Sequence, residues 1–340
     1  VLQRDPETRQ TDAEPFDGGL DLSTLTAVII DWNRPDDTIR CASLLADEGL
    51  AEERIVVVEN GSSDENCARV RAALSGCVLV RIRANVGFAR ATNIGARAVP
   101  GMSYLIVNND AFVHRTGSVA SLLEALRRRG IGIAVPRLLN DDMTLQPSVA
   151  PFTTPSAALV RASGLSRLIP NRWQPRWSTH WDHGASREVE AAIGAVLLVR
   201  GDVWDELDGL VESSFMYAED LDLCWRAAEL GWKTWFTSEA EFVHQGGASS
   251  DARWSDRERA ERVGRAEAEM IRRHLPPVRA MVALTLVRLG LVARVALFAL
   301  VGNRPAAESC RGFLQGCSRA DSREPVQKAS PEVEVLLPES

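Results

Sequence analysis

Ala27-Val28-Ile29-Ile30-Asp31-Trp32-Asn33-Arg34-Pro35 is a short β-branched run that stops abruptly in polar and turn-forming residues. Four apolar residues without alternation mark a strand covered on both faces, and such strands belong to parallel sheets. The pattern returns at residues 55–58, 78–82, 104–107 and 131–135, and helical periodicity fills the intervals around 38–47, 64–74, 88–99 and 117–129. This alternation predicts right-handed βαβ units in an α/β fold, a mostly parallel sheet flanked by helices. Ligands of such sheets sit at the carboxyl ends of the strands, so chemistry is expected in the residues that follow each run.

The first run ends at Asp31 and the second in Glu59-Asn60-Gly61-Ser62-Ser63-Asp64. Asn60-Gly61 is a turn signal and Ser63 or Asp64 a helix cap. Glu59 differs, because a carboxylate that closes a buried strand is well placed to accept a base N–H. Asn85-Val86-Gly87-Phe88-Ala89-Arg90 opens the third helix, whose N-terminus is an anion site to which Arg90 adds a charged contact. The fourth run, Leu105-Ile106-Val107, ends in Asn108-Asn109-Asp110, three oxygen-bearing side chains that suit a hard divalent cation or, equally, an Asx-turn.

Further along, Phe215-Met216-Tyr217-Ala218-Glu219-Asp220-Leu221-Asp222-Leu223-Cys224-Trp225-Arg226 opens another helix. Leu221, Cys224, Trp225 and Ala228 recur at core spacing, while Glu219, Asp222, Arg226 and Glu229 take the opposite face, predicted to be solvated. Asp220 falls at the border. The helix dipole favours carboxylates in a first turn, but three in four positions repel one another, a cost tolerated where a base or metal is needed.

Composition narrows the function. The 340 residues are 45% hydrophobic and carry a net charge of −7, which suits a soluble globular core and argues against a nucleic-acid partner. The six cysteines show no metal-ligand or disulfide spacing, and no signal pattern opens the chain, so a cytoplasmic location is expected. Residues 1–23 read as a disordered leader and 302–340 as a disordered tail. Between 140 and 188 the periodicity breaks into a Pro-, Ser- and Trp-rich connection; Trp173, Trp177 and Trp181 either hold an acceptor or staple the loop to the core. A charged helix is expected at 256–274. The apolar run 278–301 is interrupted by Arg279, Arg288 and Arg294. Its apolar insertion terms, roughly −4 to −7 kcal/mol, nearly cancel about +5 to +7 for the two internal arginines. A helix in the membrane interface with snorkelling arginines is therefore expected over a span, with a core or dimer helix as the alternative.

Taken in order, these segments resemble the nucleotide-sugar glycosyltransferases of family 2, with the GT-A fold, and especially their rhamnosyltransferase-like branch. The resemblance covers about residues 26–249 and rests on Trp32-Asn33-Arg34-Pro35, Val58-Glu59-Asn60-Gly61-Ser62-Ser63-Asp64, Asn85-x-Gly87-Phe88 with Asn93-x-Gly95, Asn108-Asn109-Asp110, Gly194-Ala195-Val196-Leu197-Leu198-Val199-Arg200, Glu219-Asp220, and His244 before Gly246-Gly247. It implies a catalytic domain over 24–250 and C-terminal helices over 251–301. The implied activity is inverting transfer of a sugar from a dTDP- or UDP-sugar, foremost dTDP-rhamnose, to a lipid-linked or polysaccharide acceptor at the inner face of the cell membrane. It implies a divalent cation, Mn or Mg, on Asp110 and His244, with Asp220 as catalytic base and Glu219 orienting the acceptor, beside Trp181. Asp31, Glu59, Asn85, Arg90 and Asn109 are the implied nucleotide-sugar contacts. Asn108 stands where the family's DxD motif has its first Asp, and Glu59 where Asp is commoner. Galactofuranosyl, mannosyl or glucosyl transfer are rivals within the class; a nucleotidyltransferase and a non-catalytic glycan-binding protein are rivals outside it.

Overall fold

The computed structural model describes residues 19–164, 169, 181–212, 216–246, 254–319 and 332–338. Its elements run β1 (Leu25–Asp31), α1 (Pro35–Asp47), β2 (Ile55–Asn60), α2 (Asp64–Ala73), β3 (Val78–Ile82), α3 (Phe88–Ala98), β4 (Ser103–Asn108), β5 (Ala111–Val113), α4 (Ser118–Leu126) and β6 (Ile131–Leu139). They continue with β7 (Leu145–Gln146), β8 (Val149–Ala150), α5 (Pro155–Ser163), β9 (Arg187–Val189), β10 (Ala191–Ala192), β11 (Val196–Arg200), α6 (Gly201–Leu207) and α7 (Glu219–Glu229). The chain closes with β12 (Lys233–His244), α8 (Asp256–His274), α9 (Pro277–Leu300), α10 (Arg304–Arg319) and β13 (Val333–Leu336).

The main sheet is ordered β13-β3-β2-β1-β4-β11-β6-β12-β5. β3, β2, β1 and β4 pair in parallel, as their unbroken apolar runs require. β11 enters antiparallel between β4 and β6, which makes the far half mixed. Every residue of β1 is buried, and the two faces of the sheet carry separate apolar clusters. Gly95 lets α3 lie close, since a Cβ there would meet Val58 and Val28 at 2.6 and 2.7 Å.

A third cluster, built from Trp225, Ala268, Ile271, Leu284 and Val287 among others, joins α7 to the C-terminal helices. Here the structure departs from the sequence reading in several places. The tail predicted to be disordered forms α10, and β13 adds antiparallel to β3. Gly312 and Gly316 of α10 lie against the backbone of Arg257 and Glu261, and Gly264 of α8 against Phe313. These glycines bring the two helix backbones close, while Ala307, Phe313, Leu314 and Cys317 supply the apolar contacts of α10. Leu20, assigned to the leader, is 3% exposed. The 140–188 connection contains α5, capped by Thr154 with Pro155 at its first position, a start signal present in the sequence. Trp173 and Trp177 lie outside the described residues.

α9 buries Ala280, Ala283, Leu284, Val287, Gly290 and Leu291 and exposes the opposite apolar face. Arg288 and Arg294 do not extend freely as expected: each donates to a backbone carbonyl, of Cys317 and Arg161 respectively, at 2.6 Å.

Asp222 is the largest correction. Expected in solvent, it is 2% exposed and accepts from Arg226 at 2.8 Å, Arg273 at 2.5 Å and His274 at 3.0 Å. The solvated face of α7 is covered by the end of α8. Burial alone would raise the Asp222 carboxyl, but the hydrogen bonds from His274 and Arg273 outweigh it and hold the group at about 2. Burial likewise opposes charge on His274, and its bonds to Asp222 and Glu229 win, so its pKa is raised. The depressed carboxyl contributes stability above its ordinary 3.8 that is lost as pH falls toward about 2; the raised imidazole contributes stability below 6.5 that is lost as pH rises through its folded value. Asp222→Asn leaves Arg226 and Arg273 facing a neutral amide, and urea denaturation at neutral pH should show a loss of about 3 kcal/mol. An unchanged midpoint would mean that the cluster contributes nothing net.

Candidate active site

A cleft of about 410 Å³ opens at the carboxyl ends of the parallel strands. Ile30, Trp32, Asn60, Asn85 and Asn108–Asp110 line it from the strand ends, and His244, Gly194 and Met216–Leu221 from the later elements. Trp254, Val263 and Glu267, on and just before α8, complete the wall. The motifs that were separate in sequence therefore share one cavity.

Asp31 and Glu59 face each other in the register of β1 and β2. Both are buried, at 0% and 1%, rather than lining the cleft, and their surroundings differ sharply. Asp31 accepts from Thr38 at 2.6 Å, Asn109 at 3.1 Å, Ser62 at 3.0 Å and the Arg34 amide at 3.2 Å. It ties β1, β2, α1 and the Asn108-Asn109-Asp110 segment together. Neither carboxyl oxygen of Glu59 has a hydrogen-bond partner among the described residues, and burial, with the Asp31 charge added, pushes its pKa to about 8. Asn60 and Asn85 fix the turn before α3: Asn60 accepts from the Val86 amide and Asn85 from the Gly87 amide. Arg90 does not line the cleft; it stands 3.7 Å from Glu212.

The β5–β12 pairing sets His244 opposite Ala111, next to Asp110. His244 Nε2 lies 3.4 Å from Asp110 Oδ1. The other ring nitrogen, Nδ1, is 2.7 Å from Gln146 Oε1, while Gln146 Nε2 donates to Asn140 and to the His244 carbonyl. That bonding orients the Gln146 oxygen toward Nδ1, so Nδ1 carries the proton and the Nε2 lone pair faces the carboxylate. Two acceptors facing at this distance suit a cation between them, with the Asn108 amide 3.4 Å from Nε2. No group of three His, Cys, Asp or Glu side chains arranged to hold a metal ion occurs among the described residues, so a cation here needs ligands beyond Asp110 and His244. Gln146 was missed in the sequence because its strand has only two residues.

Glu219 and Asp220 enter the cleft from the first turn of α7. Tyr217 and Ala218, immediately before it, both adopt left-handed backbone, with φ of 81° and 65°. Such residues cost on the order of 1 kcal/mol or more each and persist where the surroundings enforce them. Asp220 accepts from the amides of Gly194 at 2.5 Å and Leu221 at 2.7 Å. A Cβ on Gly194 would sit 2.9 Å from the Asp220 Cβ, so glycine is needed for that contact. Burial raises the Asp220 carboxyl while the two amides pull it down, and the net shift is upward. Glu219 lacks a partner for Oε2, and burial beside Asp220 lifts it to about 8. Burial thus raises both carboxyls of this adjacent pair, an arrangement that disfavours two full charges side by side.

Trp181 takes the alternative reading. It is 3% exposed, stacks on His183 at 4.6 Å and meets Phe236 edge-on at 4.8 Å, within the core and away from the cleft lining. Trp254, Val263 and Glu267 supply the wall expected of it, and nothing in their local sequence marks them.

Glu59 generates a pH test. An acid whose folded pKa is raised from 4.5 to about 8 carries no penalty below 4.5 and an increasing one up to about 8. Glu59→Gln should therefore raise the thermal midpoint above pH 8 and leave it unchanged below pH 4.5. Equal shifts at both pH values would show that the carboxyl is not held in this way.

Comparison with known proteins bears on the whole domain. The family model described as glycosyltransferase like family 2 matches residues 25–262. An N-acetylglucosaminyl-diphospho-decaprenol L-rhamnosyltransferase of Mycobacterium tuberculosis is 28% identical over 217 residues, 59% of this chain and 70% of that one. A low-salt glycan biosynthesis hexosyltransferase of Haloferax volcanii is 26% identical over 210 residues, 61% of this chain and 62% of its own length. Among solved structures, a Pyrobaculum calidifontis mannosyltransferase in complex with GDP-Man and Mn2+ superposes with a TM-score of 0.58 at 13% identity, covering 93% of this chain and 92% of that one. Residues 1–349 of S. aureus TarS give 0.50 at 11% identity, over 88% and 91%. These two likenesses concern the fold. With the family model matched across the domain that builds the cleft, the chain belongs to glycosyltransferase family 2 and is a glycosyltransferase of the GT-A fold.

Proposed function

We propose that the protein is an inverting, membrane-associated glycosyltransferase that moves rhamnose from dTDP-rhamnose to a lipid-linked acceptor of the cell envelope. The observation that carries the reading is the pairing, in one cleft, of the Asp220 carboxyl, held by the amides of Gly194 and Leu221, with a cation-suited Asp110 and His244. The rhamnosyl and lipid-linked assignments rest on the name of the Mycobacterium relative. The pyrimidine base rests on the family resemblance at Glu59-Asn60, of which Asn60 lines the cleft and Glu59 is buried.

Asp220 takes the proton from an acceptor hydroxyl as its oxygen attacks the anomeric carbon. The new C–O bond forms on the face opposite the diphosphate, and the bond to the diphosphate oxygen breaks with its electron pair. Glu219, protonated beside Asp220, orients the acceptor by donating a hydrogen bond. Asn109 and Asp31 hold the strand ends in register, and Asn60 and Asn85 hold the α3 turn at the donor. A manganese or magnesium ion bound by Asp110 and His244 would offset the charge of the departing diphosphate.

The outward face of α9 exposes Val278 at 67%, Met281 at 61%, Leu289 at 60% and Leu300 at 86%. A helix of 24 residues is long and apolar enough to cross a membrane, yet its other face is packed on α5, α8 and α10. That two-sidedness favours a helix lying in the interface of the inner leaflet.

Asp220→Asn should lower kcat by about 10² to 10⁴ while leaving donor affinity nearly unchanged. NMR of the product should show the anomeric configuration opposite to that of the donor; retention, or near-native turnover in the variant, removes the single-displacement reading. Excess EDTA should abolish turnover and added manganese restore it. Full activity in chelator would leave Asp110 and His244 without a metal role.

A further inference from the structure

Beside the cleft, α5, α9 and α10 enclose a second cavity of about 190 Å³. Val287, Leu291 and Phe313 form its apolar wall, and two guanidiniums, Arg161 and Arg294, line it together with Ser309. Arg161 is paired with Glu267 at 2.7 Å. Arg294 donates once to the Arg161 carbonyl and has no carboxylate within ion-pair distance among the described residues. The shortage extends along the whole helix: α9 contains Arg279, Arg288 and Arg294 and no acidic residue, in a chain whose net charge is −7. A half-buried arginine of this kind, with guanidinium donors to spare in an apolar-walled cavity, matches a phosphate oxyanion in charge and geometry.

Position says which phosphate. The cavity lies on the packed side of α9, across the helix from the exposed apolar stripe, a separation of about 10 Å. A helix that sinks its apolar face about 5 to 10 Å into the headgroup boundary carries its opposite side near the level of the lipid phosphates. Arg161 also contacts Glu267, which lines the catalytic cleft, so the cavity and the acceptor wall share one ion pair. We propose that this cavity binds the anionic phosphate of a membrane lipid, an inference that rests on the membrane-interface reading of α9. Two lipids share that chemistry, the headgroup of an anionic phospholipid and the diphosphate that joins a polyprenyl chain to an acceptor sugar.

The test is co-sedimentation of the full chain with vesicles of phosphatidylcholine alone, with added phosphatidylglycerol, or with an added polyprenyl diphosphate. Binding should strengthen with at least one of the additions, phosphatidylglycerol identifying a headgroup and polyprenyl diphosphate alone identifying the acceptor. Arg294→Gln should reduce that gain by roughly fivefold, the worth of one arginine near an anionic surface, and Arg294→Lys should retain most of it. Phosphatidylcholine binding, driven by the apolar stripe, should be the same in all three proteins. If Arg294→Gln does not fold, inorganic phosphate should still suppress the wild-type gain more than sodium chloride of equal ionic strength. Binding to phosphatidylcholine with no gain from either lipid, or a gain that survives Arg294→Gln, overturns the site while sparing the membrane reading. Failure to bind any vesicle overturns both.

Discussion

A carboxylate at 2% exposure is costly unless it is paired, and Asp222 is surrounded by Arg226 from its own helix and by Arg273 and His274 from the end of α8. Arg226 extends the clamp to the carbonyls of Leu207 and Gly209 after α6. Trp225 fills the space alongside, stacked on His274 at 4.7 Å and on Phe152 at 4.5 Å. These contacts join α7 to α8. Asp220 lies two residues before Asp222, Val263 and Glu267 lie on α8, and α9 follows α8 after a single turn. Asp220, the α8 side of the cleft and the exposed apolar stripe of α9 thus adjoin one buried charge cluster.

The cleft repeats a second device, the adjacent carboxyl pair with unequal environments. Asp31 receives four donors and Glu59 none; Asp220 receives two backbone amides while Glu219 has a bare buried oxygen. In a low-dielectric site two neighbouring carboxylates cannot both ionise cheaply, and the member left with bare buried oxygens, Glu59 or Glu219, is the one pushed to about 8. One pair lies at the ends of β1 and β2, the other at the start of α7.

The left-handed residues Tyr217 and Ala218 connect these two devices. They turn the chain so that α7 begins with Glu219 in the cleft and still reaches Asp222 in the ion cluster one turn segment later. A straighter entry would serve one of the two carboxylates and lose the other. Strain of this kind is supported here by the packing of Trp225 and the cations on Asp222.

Much of this was legible locally. Unbroken apolar runs between turn signals specify β1 to β4, because burial on both faces is written in composition, and Ser255-x-x-Glu258 marks the start of α8. Glu219-Asp220, Asn108-Asn109-Asp110 and His244 stood out as polar residues at strand ends or a helix start, and they converge in the cleft. Asp222 and Trp181 were misplaced for a common reason: a helical wheel or a loop composition cannot distinguish solvent from a layer supplied by residues far along the chain. α10 was missed because small residues, Ala307, Gly312, Gly316 and Cys317, make up its buried positions, and glycine there contributes close backbone approach and not apolar area. The sequence by itself determined the strands, the helix starts and the types of group available to the site. Only the tertiary structure decided which carboxylates are paired, which keep a proton and which helix face meets water, because those depend on cations and packing partners brought from distant segments.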